Sequence, residues 1–314
     1  MMTSQGRWGW GTKQHASAVR LAVLGIWLMI VASTPYEHYA RFPAGMSAGF
    51  GLGRLLLGHD TLKSFFFSSP VLMALKWSAI VGCLLAILFP NRWRWLTPVV
   101  FVNILVLDLL TKAINGFANH AQLGPLFVLL VFAVFSDRDY LPLIRFRDAA
   151  DAVPARDPPG RPSDGTVESG YAPVVWLAAL MLIIPYTYIS LNRLLEGGLE
   201  LFLGNALLEY ITLTSRHYSA YESTVFVGLI QIPWLAALLK AGYLVTTLFE
   251  VTSVGVLFSR AFRMIWLVVI ASFHFITLVS MNIFFWENLV LMAVILGWGI
   301  WTRSPSPMEQ GSLA

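Results

Sequence analysis

Charge is what this 314-residue sequence has least of. Asp, Glu, Lys and Arg make up 12% of it, about half the share usual in a soluble domain. Against 57% hydrophobic residues, that deficit excludes an ordinary soluble fold. Cysteine is almost absent. The lone Cys83 rules out an intrachain disulfide and any multi-cysteine metal site, and within its apolar stretch it reads as a small apolar filler. The phosphate-binding, dinucleotide-binding and zinc-protease signatures GxxxxGK[ST], GxGxxG and HExxH are missing too, so nothing supports those chemistries. Gly45-Met46-Ser47-Ala48-Gly49 matches GxSxG in form, but no strand precedes it and it reads as a flexible turn. The net charge of +4 is spread between apolar runs instead of forming one stripe, which argues against a nucleic-acid partner.

What the sequence does have is long apolar runs. Segments 17–35, 70–90, 96–117, 121–136, 172–190, 223–248, 264–283 and 284–301 are each read as a membrane span, the fourth of them short. The expected fold is therefore all-α: a polytopic helical bundle of about eight spans in the lipid bilayer. A corner near Asn282 alone divides the last two, so seven is the alternative count. Arg7, Lys13 and Arg20 before an apolar run ending Ala32-Ser33-Thr34 resemble a signal peptide. The length of that run and the spans after it favour a retained anchor. Residues 148–171, rich in Pro, Asp and Gly, have nothing to bury and read as a disordered linker. It divides residues 1–147, with four spans, from residues 172–314, with four more.

The basic residues set an orientation. With the N-terminus inside, Arg7, Lys13, Arg20, Arg92, Arg94, Arg138, Arg145, Arg147, Arg156, Arg161, Arg260, Arg263 and Arg303 fall on the inner side. Only Arg41, Arg54, Lys63, Arg193 and Arg216 fall outside. A multi-pass protein of the plasma (cell inner) membrane with both termini cytoplasmic is expected.

Several polar residues lie where hydrocarbon is expected, at about 2.5–3.5 kcal/mol per ionisable group on insertion scales. Asp108, Lys112, Asn115 and Asn119 are spaced four, three and four apart, so they share a helical face and Asp108 can pair with Lys112. That pair reads either as a packing device or as support beneath a polar chamber. His120 follows Asn119 at the corner between two spans. Ser272, His274, Thr277 and Ser280 occupy the seventh span, where a histidine commonly bonds a neighbouring helix. His120 and His274 are also the histidines placed to meet inside the bundle, which leaves haem ligation open. Residues 191–210 are amphipathic, with Asn192, Glu196 and Glu200 near helical spacing beside Arg193. Their Gly197–Gly198 pair should break the helix, giving an interfacial or re-entrant element on the outer face.

The order of elements resembles a known family. Asn119-His120 precedes an apolar run closing in Phe135-Ser136-Asp137. Tyr186-Thr187-Tyr188-Ile189-Ser190-Leu191-Asn192-Arg193-Leu194 and the Gly204–Tyr210 stretch follow, and then Phe273-His274-Phe275 and Phe284-Phe285-Trp286. The chain is similar to the membrane domain of vitamin K-dependent gamma-carboxylase and its bacterial relatives, the HTTM (horizontally transferred transmembrane) proteins. The resemblance implies that His120, with Ala118 in place of the first asparagine of an Asn-Asn-His element, and His274 position or exchange protons. Arg193 stands where the carboxylase has the second of two adjacent lysines. Arginine stays protonated and cannot replace a lysine base, so the expected role of Arg193 is to bind an anionic group, with Asn119, Asn192 and Glu196 as further substrate contacts. The sequence also lacks the large extramembrane domain with which the carboxylase holds its protein substrates. Authentic carboxylation is therefore not expected. The expectation is chemistry on a lipophilic quinone-like or lipid-tailed molecule, or on a membrane-surface peptide, with no cofactor specified. A non-enzymatic accessory protein for maturation or export of a partner is the alternative, and a haem-dependent electron carrier the third.

The orientation is checked by labelling with an impermeant thiol reagent in a Cys83→Ser background. Ser219→Cys should react from outside, and Pro158→Cys only after lysis. External reaction at position 158 would refute the assignment.

Overall fold

The structure is a computed structural model that describes residues 11–42, 57–115, 122–143, 169–217, 225–281, 283 and 285–298. The Asn119–His120 corner, Asn282 and most of the 148–171 linker lie outside them. The longer helices are α1 (Lys13–Ser33), α2 (Ser69–Leu88), α3 (Leu96–Asn115), α4 (Leu123–Val134), α5 (Ala172–Asn192), α6 (Ala206–His217), α7 (Pro233–Val251), α8 (Arg260–Met281) and α9 (Trp286–Ile295), with no strand among the described residues. Six helices, α1, α2, α3, α5, α7 and α8, are long and apolar enough to cross a membrane. The described parts of the two other expected spans, α4 and α9, are shorter apolar helices of 12 and 10 residues. This is compatible with a multi-pass membrane protein.

The chain forms two compact units, Met1–Ala178 with Ala293–Ala314, and Ala179–Met292. The division falls inside α5 and α9.

In the first unit α1 packs on α2 and α4, and α3 packs on α2 and α4, so the four helices close a ring. Thr12 caps α1 by accepting from the His15 N–H at 3.1 Å. Gly82 lets α2 and α3 approach closely: a Cβ there would sit 2.6 Å from Val100 Cγ2, the small-residue contact favoured between spans. Asn103 on α3 donates to the Leu75 carbonyl at 3.1 Å and to Ser78 at 2.6 Å on α2. Arg20 is buried in α1. It donates to the Ala86 carbonyl at 2.9 Å, in the last turn of α2 where the helix end favours a cation, and to Thr97 at 3.0 Å.

The second unit holds the later part of α5, then α6, α7, α8 and the start of α9. Here α7 and α6 each pack on α8. Beyond α5 the helix widens into a π-helical turn, Arg193–Gly197, and stops at Gly198 with φ of +52°. The glycine pair thus ends the helix as its sequence demanded, because a positive φ suits Gly. Leu195, Leu199 and Leu203, on either side of that break, are 81%, 73% and 73% exposed, and exposed leucines are what an interfacial or lipid-facing element presents.

Gly82→Ala should lower stability by about 1–3 kcal/mol, the usual range for overpacking, because a β-branched valine cannot step aside cheaply. Thermal unfolding in detergent measures this, and an unchanged midpoint would show that α2 and α3 separate freely.

Candidate functional site

The second unit carries a polar centre in an otherwise apolar interior. Trp266, Ile270, His274, Thr277 and Met281 are buried along one face of α8, following its helical repeat. On α5, Tyr186 and Ser190 share a face through a spacing of four, and Arg193 follows as the first residue of the π turn. Pro185 removes a backbone donor one residue before Tyr186. Where the two faces converge, the Tyr186 hydroxyl lies 2.9 Å from His274 Nε2. The Tyr186 ring meets Trp266 edge-on at 5.7 Å, and His274 is flanked by Phe285 at 5.0 Å and Phe273 at 5.6 Å. Trp266 is fixed in turn by its indole N–H, which donates to the Phe249 carbonyl at 3.0 Å.

Beside this pair, α7 supplies Glu250, 2% exposed. Its Oε2 accepts from Arg193 Nη1 at 2.6 Å and also from the Ser190 hydroxyl. The Arg193 guanidinium stands over the Tyr243 ring, 5.4 Å from its centroid. Thr187 and Ser253 hydroxyls meet at 2.7 Å. A second carboxylate, Glu287 in the first turn of α9, is buried, with Oε2 lacking a hydrogen bond. Glu250, Glu287 and Arg193 all lie within electrostatic reach of the Tyr186 hydroxyl.

Chemically, the centre joins a phenol and an imidazole that can pass a proton, a carboxylate held by two donors, and a guanidinium held in place by that carboxylate. Tyrosine, histidine and carboxylate side chains are the usual participants in general acid–base work. Low dielectric around them strengthens every charge interaction they make.

The first unit has its own polar cluster. Lys112 pairs with Asp108 Oδ2, four residues apart on α3 and both buried, as the spacing predicted. Asp108 Oδ1 is buried without a hydrogen bond. After α1 ends, a 3-10 turn over Tyr36–Arg41 brings Tyr36 and Tyr39 together edge-on at 5.5 Å, and both phenols reach Thr111. Burial pushes both phenols above their ordinary range, so they remain protonated donors. Lys76 on α2 donates to the Thr34 carbonyl at 2.9 Å and lies 3.8 Å from Glu37.

Of the residues expected from sequence, His274 and Arg193 fall in the same unit, both within reach of Tyr186. Asp108 and Lys112 belong to the other. Asn192 is half-buried and ends α5, and Glu196 is exposed in the π turn. His120 and Asn119 lie outside the described residues. Arg193, expected to hold a ligand's anion, is held by an internal one, Glu250. Tyr186, Ser190, Glu250 and Glu287 were not recognised as site residues. Glu250 closes an apolar helix and Glu287 opens one, so each reads as a terminal carboxylate meeting water; their one signal is helical spacing from Tyr243 and Thr247 or from the Phe-Phe-Trp run. Among the described residues, no group of three or more His, Cys, Asp or Glu could hold a metal ion. No family model, no curated protein and no solved structure matches the chain.

The intramembrane pair gives a direct test. Asp108→Asn or Lys112→Gln alone should cost about 3–5 kcal/mol by stranding the partner's charge, and the double variant should cost less than the sum. Unfolding midpoints in detergent supply the cycle; strict additivity would show that the two side chains do not interact.

Proposed function

We propose that this is an HTTM-type, vitamin K-dependent gamma-carboxylase-like protein of the plasma membrane, with cytoplasmic termini. Its polar centre in the second unit acts on a lipophilic quinone-like or lipid-tailed molecule. The observation that carries this reading is the buried Tyr186–His274 hydrogen bond at 2.9 Å, beside the Ser190–Glu250–Arg193 network. Tyr186 presents a hydroxyl that can hydrogen-bond an oxygen or nitrogen of the ligand, and His274 takes up or returns the proton. Glu250 fixes Arg193, and the Arg193 charge balances the carboxylate, so the pair sets the field in which the proton moves. Arginine at position 193 keeps its proton, so the base in this reading is His274 and the chemistry is not that of the carboxylase lysine. A site enclosed by aromatic rings, with few convergent polar groups, is of the kind that takes a small apolar-bodied molecule.

Extraction of the purified full-length protein with organic solvent, followed by mass spectrometry, tests the reading. One lipophilic molecule should be recovered in near-equal amount to protein. Tyr186→Phe should lower its retention about tenfold, the worth of one hydrogen bond of roughly 1.5 kcal/mol. His274→Gln should retain the ligand while stopping its turnover. Identical recovery from the native protein and the Tyr186→Phe variant would refute the site.

A further inference from the structure

The charges at this centre do not balance. Glu250 and Glu287 are both buried, at 2% and 8% exposure, and Arg193 answers one of them. Among the described residues of this unit no lysine or arginine is fully buried, and the partly buried Arg193 is the cation paired with a carboxylate. His274 shares its Nε2 with the Tyr186 hydroxyl. Among the described residues no cation is ion-paired with Glu287, and in low dielectric an uncompensated carboxylate is costly.

Glu287 is the carboxylate left unanswered. Its Oε2 is fully buried and has no hydrogen bond. Two residues earlier in the chain, Phe285 stands 5.0 Å from the His274 ring, so the start of α9 borders the Tyr186–His274 pair. Arg193 offers little to an anion, since Glu250 already holds it at 2.6 Å. Aromatic rings at Phe273, Phe285 and Tyr186 surround His274, and ring faces favour a cation over an anion.

The geometry points to an ammonium-bearing, lipid-tailed molecule as the ligand class of this centre: Glu287 takes the positive nitrogen, and the Tyr186 hydroxyl bonds a neighbouring polar atom. This rests on the reading of the Tyr186–His274 pair as the ligand site and narrows it to the lipid-tailed branch. It reverses the expectation from sequence that the site selects an anionic group. The reversal follows from Glu250, which turns the one obvious cation of the segment into half of a closed pair.

The full-length protein in neutral maltoside micelles is titrated with dodecylammonium, dodecanol and dodecyl phosphate, and binding is read from the unfolding midpoint against mole fraction. Dodecylammonium should bind at least about tenfold more tightly than the other two. Glu287→Gln should abolish that preference, Glu287→Asp should keep most of it, and Asp60→Asn, a change of exposed charge in the other unit, should leave it intact. Equal binding of the ammonium and the alcohol to the unaltered protein would overturn the inference, because a proton would then already neutralise Glu287. That comparison decides the matter even if the Glu287 variants fail to fold. A preference that survives Glu287→Gln would overturn it as well. If dodecanol binding falls in Tyr186→Phe while the charge preference is absent, the ligand site stands and the ammonium does not. If no amphiphile responds to Tyr186→Phe, both fail.

Discussion

A charge carried into an apolar interior must find its counterpart there, and the Arg193–Glu250 contact is where this chain meets that demand in its second unit. Glu250 would be untenable alone near the end of an apolar helix, and Arg193 would otherwise turn to water. Joined, they fix the end of α5 against α7 and bring Ser190 onto the same carboxylate oxygen. Tyr243, beneath the guanidinium, adds an aromatic face to the same junction. Tyr186 and His274 lie beside this Ser190–Glu250–Arg193 network, whose members have partners, which is the condition for polar groups to be specific and not merely costly.

The first unit meets the same demand twice, by different means. Asp108 and Lys112 neutralise each other within one helix, one turn apart. Among the described residues Arg20 has no carboxylate contact, and instead takes a carbonyl from the end of α2, a threonine hydroxyl from α3 and the face of Tyr140, 5.2 Å from the ring centroid. Spread over three partial partners, its charge ties α1, α2 and α3 together near the ends that follow one another in sequence. Buried threonines and serines, such as Thr246, Thr247 and Ser280, return their hydroxyls to carbonyls one turn back in their own helices, so they bring no unmet polarity into the packing.

Much of this organisation was legible in the residues. Long apolar runs located all six of the long spanning helices, because hydrophobic length is a signal carried by the segment itself. The Asp108–Lys112 pair was legible for a related reason: four-residue spacing makes it local to one helix. The partners of Arg193 and His274 were not. Glu250 lies 57 residues from Arg193 and Tyr186 lies 88 from His274, and nothing in a periodicity says which helices will be neighbours. Glu196, near Arg193 in sequence, is exposed in the π turn, while the carboxylate that meets Arg193 comes from another helix.

The π turn itself has a consequence for how this chain tolerates change. Arg193–Gly197 winds with i→i+5 hydrogen bonds, more loosely than the i→i+4 bonds of an α-helical turn. The surplus residue makes the segment a local reservoir of length. Loss of one position between Leu194 and Gly197 can be absorbed by tightening the turn to α, leaving Tyr186, Ser190 and Arg193 upstream where they are. The same loss inside α5 would rotate everything beyond it by about 100°, and carry Arg193 away from its carboxylate. Length variation should thus be permitted on one side of Arg193 and forbidden on the other.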